Sequence, residues 1–417
     1  MGGRLPVVLL LSFLSAPPAP AEEGPPPLPL AEVLERVRAS APSAIALRER
    51  AAAAYASARQ ARRFPNPTAE VRTENWPLGS SDGFSASSDV DLFATLSQPL
   101  PVFGTHGAAA RSAEASARAA GAEAKSSTRT LLADAARLYL ATLRARDLAA
   151  ALAEVRDGLS EVVRVLEARV AEGWSAEGDL LKLRAEKGRA SDALARAEIE
   201  LDADSAALGA LLGEERPVEA RRLFLPAFPE LPEGDPEEVA RKAAATRPEV
   251  VAASERLAAA REAVRLEKSR RIPEPSLTAG YKRTGGEDTA VLGLAFPLPV
   301  LDLNAGAVAR AESEARAAEA DLALAQRRAS LEGAARLRAA RRLLERALAA
   351  DEELVRPAEG ARRAARAAFR EGGGDVLKLV DAERVRTEAV ALALQTKGDA
   401  WVAAHEARTA VLQEDVP

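Results

Sequence analysis

The sequence predicts a mainly α protein with short β segments, built twice over from one plan of long helical hairpins joined to β-hairpins. Three observations predict it. Alanine, arginine, glutamate and leucine dominate the 417 residues while only 4% are aromatic, the profile of long helices packed through small side chains. Leucine and alanine recur at sevens over Leu131, Leu138, Ala145, Leu152, Leu159 and Leu166, with Leu148, Val155 and Val162 on a second seam. That is a coiled-coil register held over five repeats. Finally, three motifs return in the same order.

The echoes define the duplication. Arg62-Arg63-Phe64-Pro65-Asn66-Pro67 returns 208 residues later as Arg270-Arg271-Ile272-Pro273-Glu274-Pro275. Pro99-Leu100-Pro101-Val102-Phe103 returns after 198 residues as Pro297-Leu298-Pro299-Val300-Leu301, and Asp179-Leu180-Leu181-Lys182-Leu183 after 196 as Asp375-Val376-Leu377-Lys378-Leu379. Fixed order with a drifting offset is the mark of duplication with small insertions. The expected division is a leader over 1–21, a first repeat over 22–213, a Pro-rich linker over 214–236 and a second repeat over 237–417.

Each copy opens with a helix, about 30–63 and then 236–271, stopped by its Pro-x-Pro motif. Two extended segments follow. In the first copy they are Thr68 to Asn75 and Ser88 to Gln98, a hairpin spanning 68–98 around Asp82-Gly83. In the second they are Ser276 to Arg283 and Thr289 to Phe296, spanning 276–296 around Gly285-Gly286, a strong hairpin signal. Val90, Leu92, Ala94 and Leu96 alternate with Asp89, Asp91, Thr95 and Ser97. A wet-lumen membrane barrel and a half-buried soluble sheet both read this way. A long helix then runs from Gly104 to Ala171, about 100 Å at 1.5 Å per residue. Its partner returns over Glu177 to Leu212, carrying Leu183, Ala190, Leu194, Ala197, Leu201 and Leu208. The second copy repeats this over about 305–370 and 375–413.

Composition removes several function classes. Without cysteine there are no disulfides, thiolate metal sites or cysteine nucleophiles. A net charge of −5, with Arg and Glu interleaved, offers no footprint for nucleic acid. His106 and His405 lack a nucleophile or second ligand at motif spacing and read as surface or turn residues. No catalytic residues, cofactor or metal site are expected. Arg4, the short apolar run Leu5 to Leu14 and Ala19-Pro20-Ala21 read as a signal peptide. Downstream no apolar run reaches 18 residues, so any spanning of a membrane must come from strands.

Four strands cannot close a barrel, for which about eight are the practical minimum. An open sheet in hydrocarbon would leave its edges unpaired at several kcal/mol per group. Three chains would supply twelve strands and a ring of twelve long helical segments. The order helix, Pro-x-Pro, hairpin, "SQPLPVFG" or "AFPLPVLDLN", coiled coil, then "GDLLKLRAE" or "GDVLKLVDAE" resembles the TolC-type outer-membrane efflux channels over essentially the whole chain. The run Arg271 to Lys282 with Pro297 to Asn304 is most similar to the cobalt–zinc–cadmium (cation efflux) branch, departing from it at Leu303, where an arginine often follows the aspartate.

The resemblance implies a homotrimer: a 12-stranded membrane β-barrel in outer-membrane lipid, standing on an α-helical periplasmic tube. It also implies a passive conduit for heavy-metal cations that docks on a periplasmic adaptor (membrane fusion) protein and an inner-membrane, proton-driven RND-type pump. The helix reversals at Gly173, Trp174 and Ser175 and at Gly372, Gly373 and Gly374 would be the adaptor-contact tips. A tight turn alone accounts for such glycines equally well. Asp381 falls where the family places an acidic periplasmic gate. Lys378, three residues earlier, stands where a second acid is frequent, and a solvated helix face explains both. The competing readings are a periplasmic coiled-coil adaptor or scaffold outside the membrane, and a drug-efflux or type I secretion channel of the same family.

Overall fold

A computed structural model describes residues 26–76, 78–79, 83–86, 89–371 and 376–411. The segment 1–21, Asp82, Ser88, Gly372, Gly373 and Gly374 lie outside them. Each half runs in the same order. The first holds α1 Leu30–Ser40, α2 Pro42–Ala61, β1 Thr68–Glu74, β2 Asp91–Pro99, α3 Thr105–Ala171 and α4 Glu177–Leu212. The second holds α5 Pro236–Ala244, α6 Pro248–Ser269, β3 Ser276–Thr284, β4 Glu287–Ala295, α7 Ala305–Ala350, α8 Arg356–Arg370 and α9 Val376–Val411.

Two helices expected to be continuous are divided, and a third is widened over one turn, each at a proline. Instead of one helix over 30–63, Ala41 adopts φ −58°, ψ 134° before Pro42 and separates α1 from α2. Arg247 does the same before Pro248, at φ −62°, ψ 134°. The ring of a proline disfavours the helical conformation in the residue before it, so both breaks follow from local sterics. The helix expected over 305–370 carries a π-helical segment, Asp351–Val355, between α7 and α8. There Arg356 N–H bonds back to Asp351 O. Pro357 lacks the N–H its turn needs and its ring would press on the carbonyl four residues back, so the widened turn absorbs it without ending the helix.

The four strands form one antiparallel sheet in the order β1-β2-β3-β4, so β2 and β3 join the two halves. Gly285 and Gly286, at φ 58° and 84°, make the two-residue turn between β3 and β4. Both centres positive is the type I′ requirement that favours glycine. Below the sheet, α3 spans 67 residues, about 100 Å, with α4 folded back along it. Its lower seam buries Ala149, Leu152, Val155, Leu159 and Leu166 against Leu180, Leu183, Leu194 and Ala197. On the second seam Val163, not Val162, is buried alongside Val155.

Higher up, α3 leaves the heptad and buries Ala135, Ala136, Tyr139, Leu140 and Leu143 against Leu30, Val33, Leu34 and Val37 of α1. The segment after α4 is clamped there too. Tyr139 Oη accepts from Phe224 N–H (3.1 Å) and lies 3.0 Å from Leu28 O, and Trp401 Nε1 donates to Ala227 O (3.0 Å). No helix among the described residues is long and apolar enough to cross a membrane.

Candidate functional site: a two-faced sheet and the hairpin tips

Cross-strand partners share a face of a sheet, so the register sorts the side chains. One face holds Ala69, Val71, Leu92, Ala94, Leu96, Leu277, Ala279, Tyr281, Ala290, Leu292 and Leu294, with Thr73, Gln98, Arg283 and Asp288 toward its two ends. The other holds Glu70, Arg72, Glu74, Asp91, Thr95, Ser97, Thr278, Lys282 and Thr289. Phe93 and Val291 break the alternation on the polar face, and Arg72 and Lys282 lie over the Phe93 ring at 4.8 and 5.1 Å. Those two cations come from the strands on either side of β2, one rung across, an arrangement that cation–π attraction favours. Asp91 is buried and accepts from Asn75 Nδ2 (2.9 Å), tying the strand ends together. The apolar face is bare in the single chain, with Val71, Leu292 and Leu294 at 74%, 80% and 69% exposure. Among the described residues β1 pairs only with β2 and β4 only with β3, so both outer edges are free.

Where strands pass into helices, Glu274 of the second Pro-x-Pro motif reaches across to the first half. Its carboxylate accepts from Phe103 N–H (3.1 Å) and Thr105 N–H (3.2 Å) at the start of α3. Burial alone would raise its pKa, but these bonds hold it below the usual carboxylate range. His106 sits in the first turn of α3, half-buried, its ring 5.0 Å from Phe64.

At the far end, α3 ends in a Schellman motif. Gly173 takes φ 76°, its N–H bonds to Val170 O (3.0 Å), and Trp174 N–H bonds to Arg169 O (2.8 Å). Only glycine adopts that φ without cost. Trp174 projects with 80% of its surface exposed and Ser175 is half-buried beside it. Nearby, Asp381 and Lys378 lie exposed on α9, and Asp381 pairs with Arg384 at 3.3 Å. In the first half Lys182 pairs with Asp179 at 3.7 Å. The two hairpins are packed together here: Arg169 donates to Phe369 O (3.3 Å) and lies over its ring at 4.9 Å.

A half-buried ion network on the tip side of the hairpins escaped the sequence reading. Glu154 of α3 accepts from Arg362 of α8 (3.0 Å) and Arg386 of α9 (2.6 Å), while Arg366 donates to Glu383 (2.7 Å). Glu383 and Arg386 are almost wholly buried. Burial acts to raise the pKa of Glu154, but the two arginines outweigh it and hold the carboxyl low. In sequence these charges look like any solvated helix face. The one visible signal was Gly158 in mid-helix, where a Cβ would collide with the Arg366 guanidinium.

His405 also departs from expectation. It is buried, stacked on Trp401 with ring centroids 5.1 Å apart, because the end of α9 is covered by other helices.

The chain thus presents an amphipathic four-stranded sheet with open edges, seated on paired helical hairpins of about 100 Å. Residues 34–214, from α1 to the end of α4, match the family described as "Outer membrane efflux protein". The cobalt-zinc-cadmium resistance protein CzcC of Cupriavidus metallidurans is 27% identical over 250 residues, 59% of this chain and 57% of that one. The nickel-cobalt-cadmium resistance protein NccC of Alcaligenes xylosoxydans xylosoxydans is 29% identical over 302 residues, 70% of this chain. The matched regions thus span 57% and 66% of those relatives' lengths. The fold is that of the Campylobacter jejuni CmeC outer membrane channel, with a TM-score of 0.76 at 14% identity, over 93% of this chain and 87% of that one. Over residues 34–214 the chain is thus similar to the outer membrane efflux proteins, and its fold is that of solved outer membrane channels.

Proposed function

We propose that this chain is the outer-membrane channel subunit of a tripartite efflux system, a passive conduit that carries divalent heavy-metal cations outward. The observation that carries the reading is the four-stranded sheet with one apolar face and two free edges. Such a sheet is stable in lipid only when its edges are closed by other chains. Three copies give twelve strands, so the working form is a homotrimer whose barrel sits in outer-membrane lipid and whose helices form a periplasmic tube. The leader over 1–21 directs export, and the repeats over 22–213 and 237–417 flank the linker 214–236. Heavy metals as cargo rest on the two resistance-protein relatives.

Gly173, Trp174 and Ser175, with Gly372, Gly373 and Gly374, form the tips that meet a periplasmic adaptor, itself coupled to an RND-type inner-membrane pump. Asp381 and Lys378 stand on α9 close behind, where a periplasmic gate would close. Two measurements test the reading. Fractionation and native electrophoresis in mild detergent should place the protein in the outer membrane as a trimer; a soluble monomer overturns it. Deletion should sensitise cells to zinc, cobalt or cadmium more than to dyes or detergents; the reverse pattern moves the cargo to organic compounds.

A further inference from the structure

The duplication makes the closing seam of the barrel readable from the seam already present, given the trimer proposed above. Inside one chain, β2 of the first half pairs with β3 of the second, with Leu96 opposite Ala279 and Ala94 opposite Tyr281. The echo that follows β2 returns 198 residues later beyond β4, and the echo before β3 stands 208 residues earlier ahead of β1. Carrying the internal register across by these two offsets turns Leu96 into Leu294, Ala94 into Leu292, Ala279 into Val71 and Tyr281 into Thr73.

We propose that β4 of one subunit pairs antiparallel with β1 of a second copy, with Leu294 opposite Val71 of the partner subunit and Leu292 opposite Thr73 of the partner subunit. Nothing in the transfer forces the side-chain faces to agree, yet they do. Leu292 and Leu294 belong to the apolar face, and so do Val71 and Thr73, the in-register partners of Ala94 and Leu92. A slip by one residue would set Leu294 against an arginine or glutamate of the polar face and turn one strand inside out. Val71, Leu292 and Leu294 are also among the most exposed apolar side chains of the sheet, as edge residues awaiting neighbours would be.

The helices beneath agree. At the internal seam α3 and α6 are laced by Arg118–Glu255 (3.3 Å), Arg256–Glu123 (2.7 Å) and Arg111–Glu262 (3.7 Å). At the closing seam their counterparts are α7 of one subunit and α2 of the next. Over its length α2 carries three arginines against one glutamate, whereas residues 305–324 of α7 carry four carboxylates against two arginines; of these, Glu312 and Glu319 also pair with Lys268 and Arg261 of α6, and Glu314 with Arg310. Opposite charge steers the two surfaces together and opposes wrong partners. In this register Asn66 of the partner subunit stands beside α7 as Glu274 stands beside α3.

Because the chain holds no cysteine, engineered pairs report the register without background. Directly opposed residues lie at about 4.5–5.5 Å between Cα atoms, within disulfide reach, and diagonal ones at about 7–8 Å lie outside it. The double variants L294C/V71C and L292C/T73C, oxidised mildly in outer membranes, should run as covalent trimers on non-reducing gels. The slipped pair L292C/V71C should give roughly tenfold less, and the intrachain pair L96C/A279C checks that oxidation proceeds at this depth. A native trimer that cross-links through the slipped pair, or through neither aligned pair, overturns the register and leaves the channel reading standing. Absence of any oligomer from the outer membrane overturns both.

Discussion

Glu274 and His405 are single residues whose environments make opposite demands. Glu274 is held ionised by two backbone N–H donors at the start of α3, so Glu274→Ala should cost about 1 kcal/mol, the usual cap penalty, while Glu274→Gln keeps an acceptor and most of the stability. Denaturant unfolding of the purified trimer reads this; equal losses in the two variants would refute the cap. His405 is held neutral: burial, then the nearby Arg129, Arg408 and Arg137, outweigh Glu406 and lower its pKa from 6.5 to about 4. The unfolded chain therefore binds the extra proton first. The stability that His405 supports is fully present above pH 6.5 and drains as pH falls toward 4, up to about 3 kcal/mol in all. His405→Phe, which keeps a ring against Trp401, should flatten that limb when unfolding is compared at pH 7 and pH 5. A parallel fall in wild type and variant would show that the acid sensitivity lies elsewhere.

At the scale of elements, what the sequence made legible depended on whether a local rule had one answer. The Gly285-Gly286 hairpin, the Pro-x-Pro stops and the long coiled-coil seam are each fixed by residues adjacent in sequence or seven apart, and the structure has them. The breaks at Pro42 and Pro248 obeyed an equally local rule, but alanine-rich flanks masked them. Glu154, Arg362, Arg366, Glu383 and Arg386 were not legible, because pairing across three helices leaves no periodic trace. The exposure of the sheet edges could be inferred only from strand number, and sorting the side chains of all four strands onto two faces needed the register. Gly280 shows how tight the β2–β3 seam is. A Cβ there would meet the carbonyl of Ala94 and come 2.7 Å from Thr95 Cα. Gly280→Val should therefore force β2 and β3 apart and remove the assembled protein from the outer membrane, whereas Gly293→Ala, whose Cβ meets nothing within 4 Å, should be tolerated. Immunoblots of outer-membrane fractions compare the two, and wild-type levels of Gly280→Val would contradict the packing.

At the scale of the whole molecule, the proposed docking tip lies the length of α3, about 100 Å, from the sheet, so one end can be disturbed without the other. Trp174 is the test. Its ring is 80% exposed and its backbone, not its side chain, completes the Schellman turn. A large apolar side chain left in solvent at the end of a long hairpin contributes little to the stability of the free chain, whereas aromatic residues are prominent among interface anchors. Trp174→Ser should leave the amount of outer-membrane trimer unchanged and lower metal resistance, with the adaptor recovered less readily by cross-linking. Gly173→Val perturbs the same place differently: at φ 76° a β-branched residue is strained, so the turn itself must distort and both docking and hairpin stability should suffer. Comparing the two variants in the same cells separates surface from shape. If Trp174→Ser exports as well as wild type, the tip is not a docking surface. Should its trimer vanish instead, the ring supports the hairpin, and its exposure in the free subunit is covered within the assembled tube.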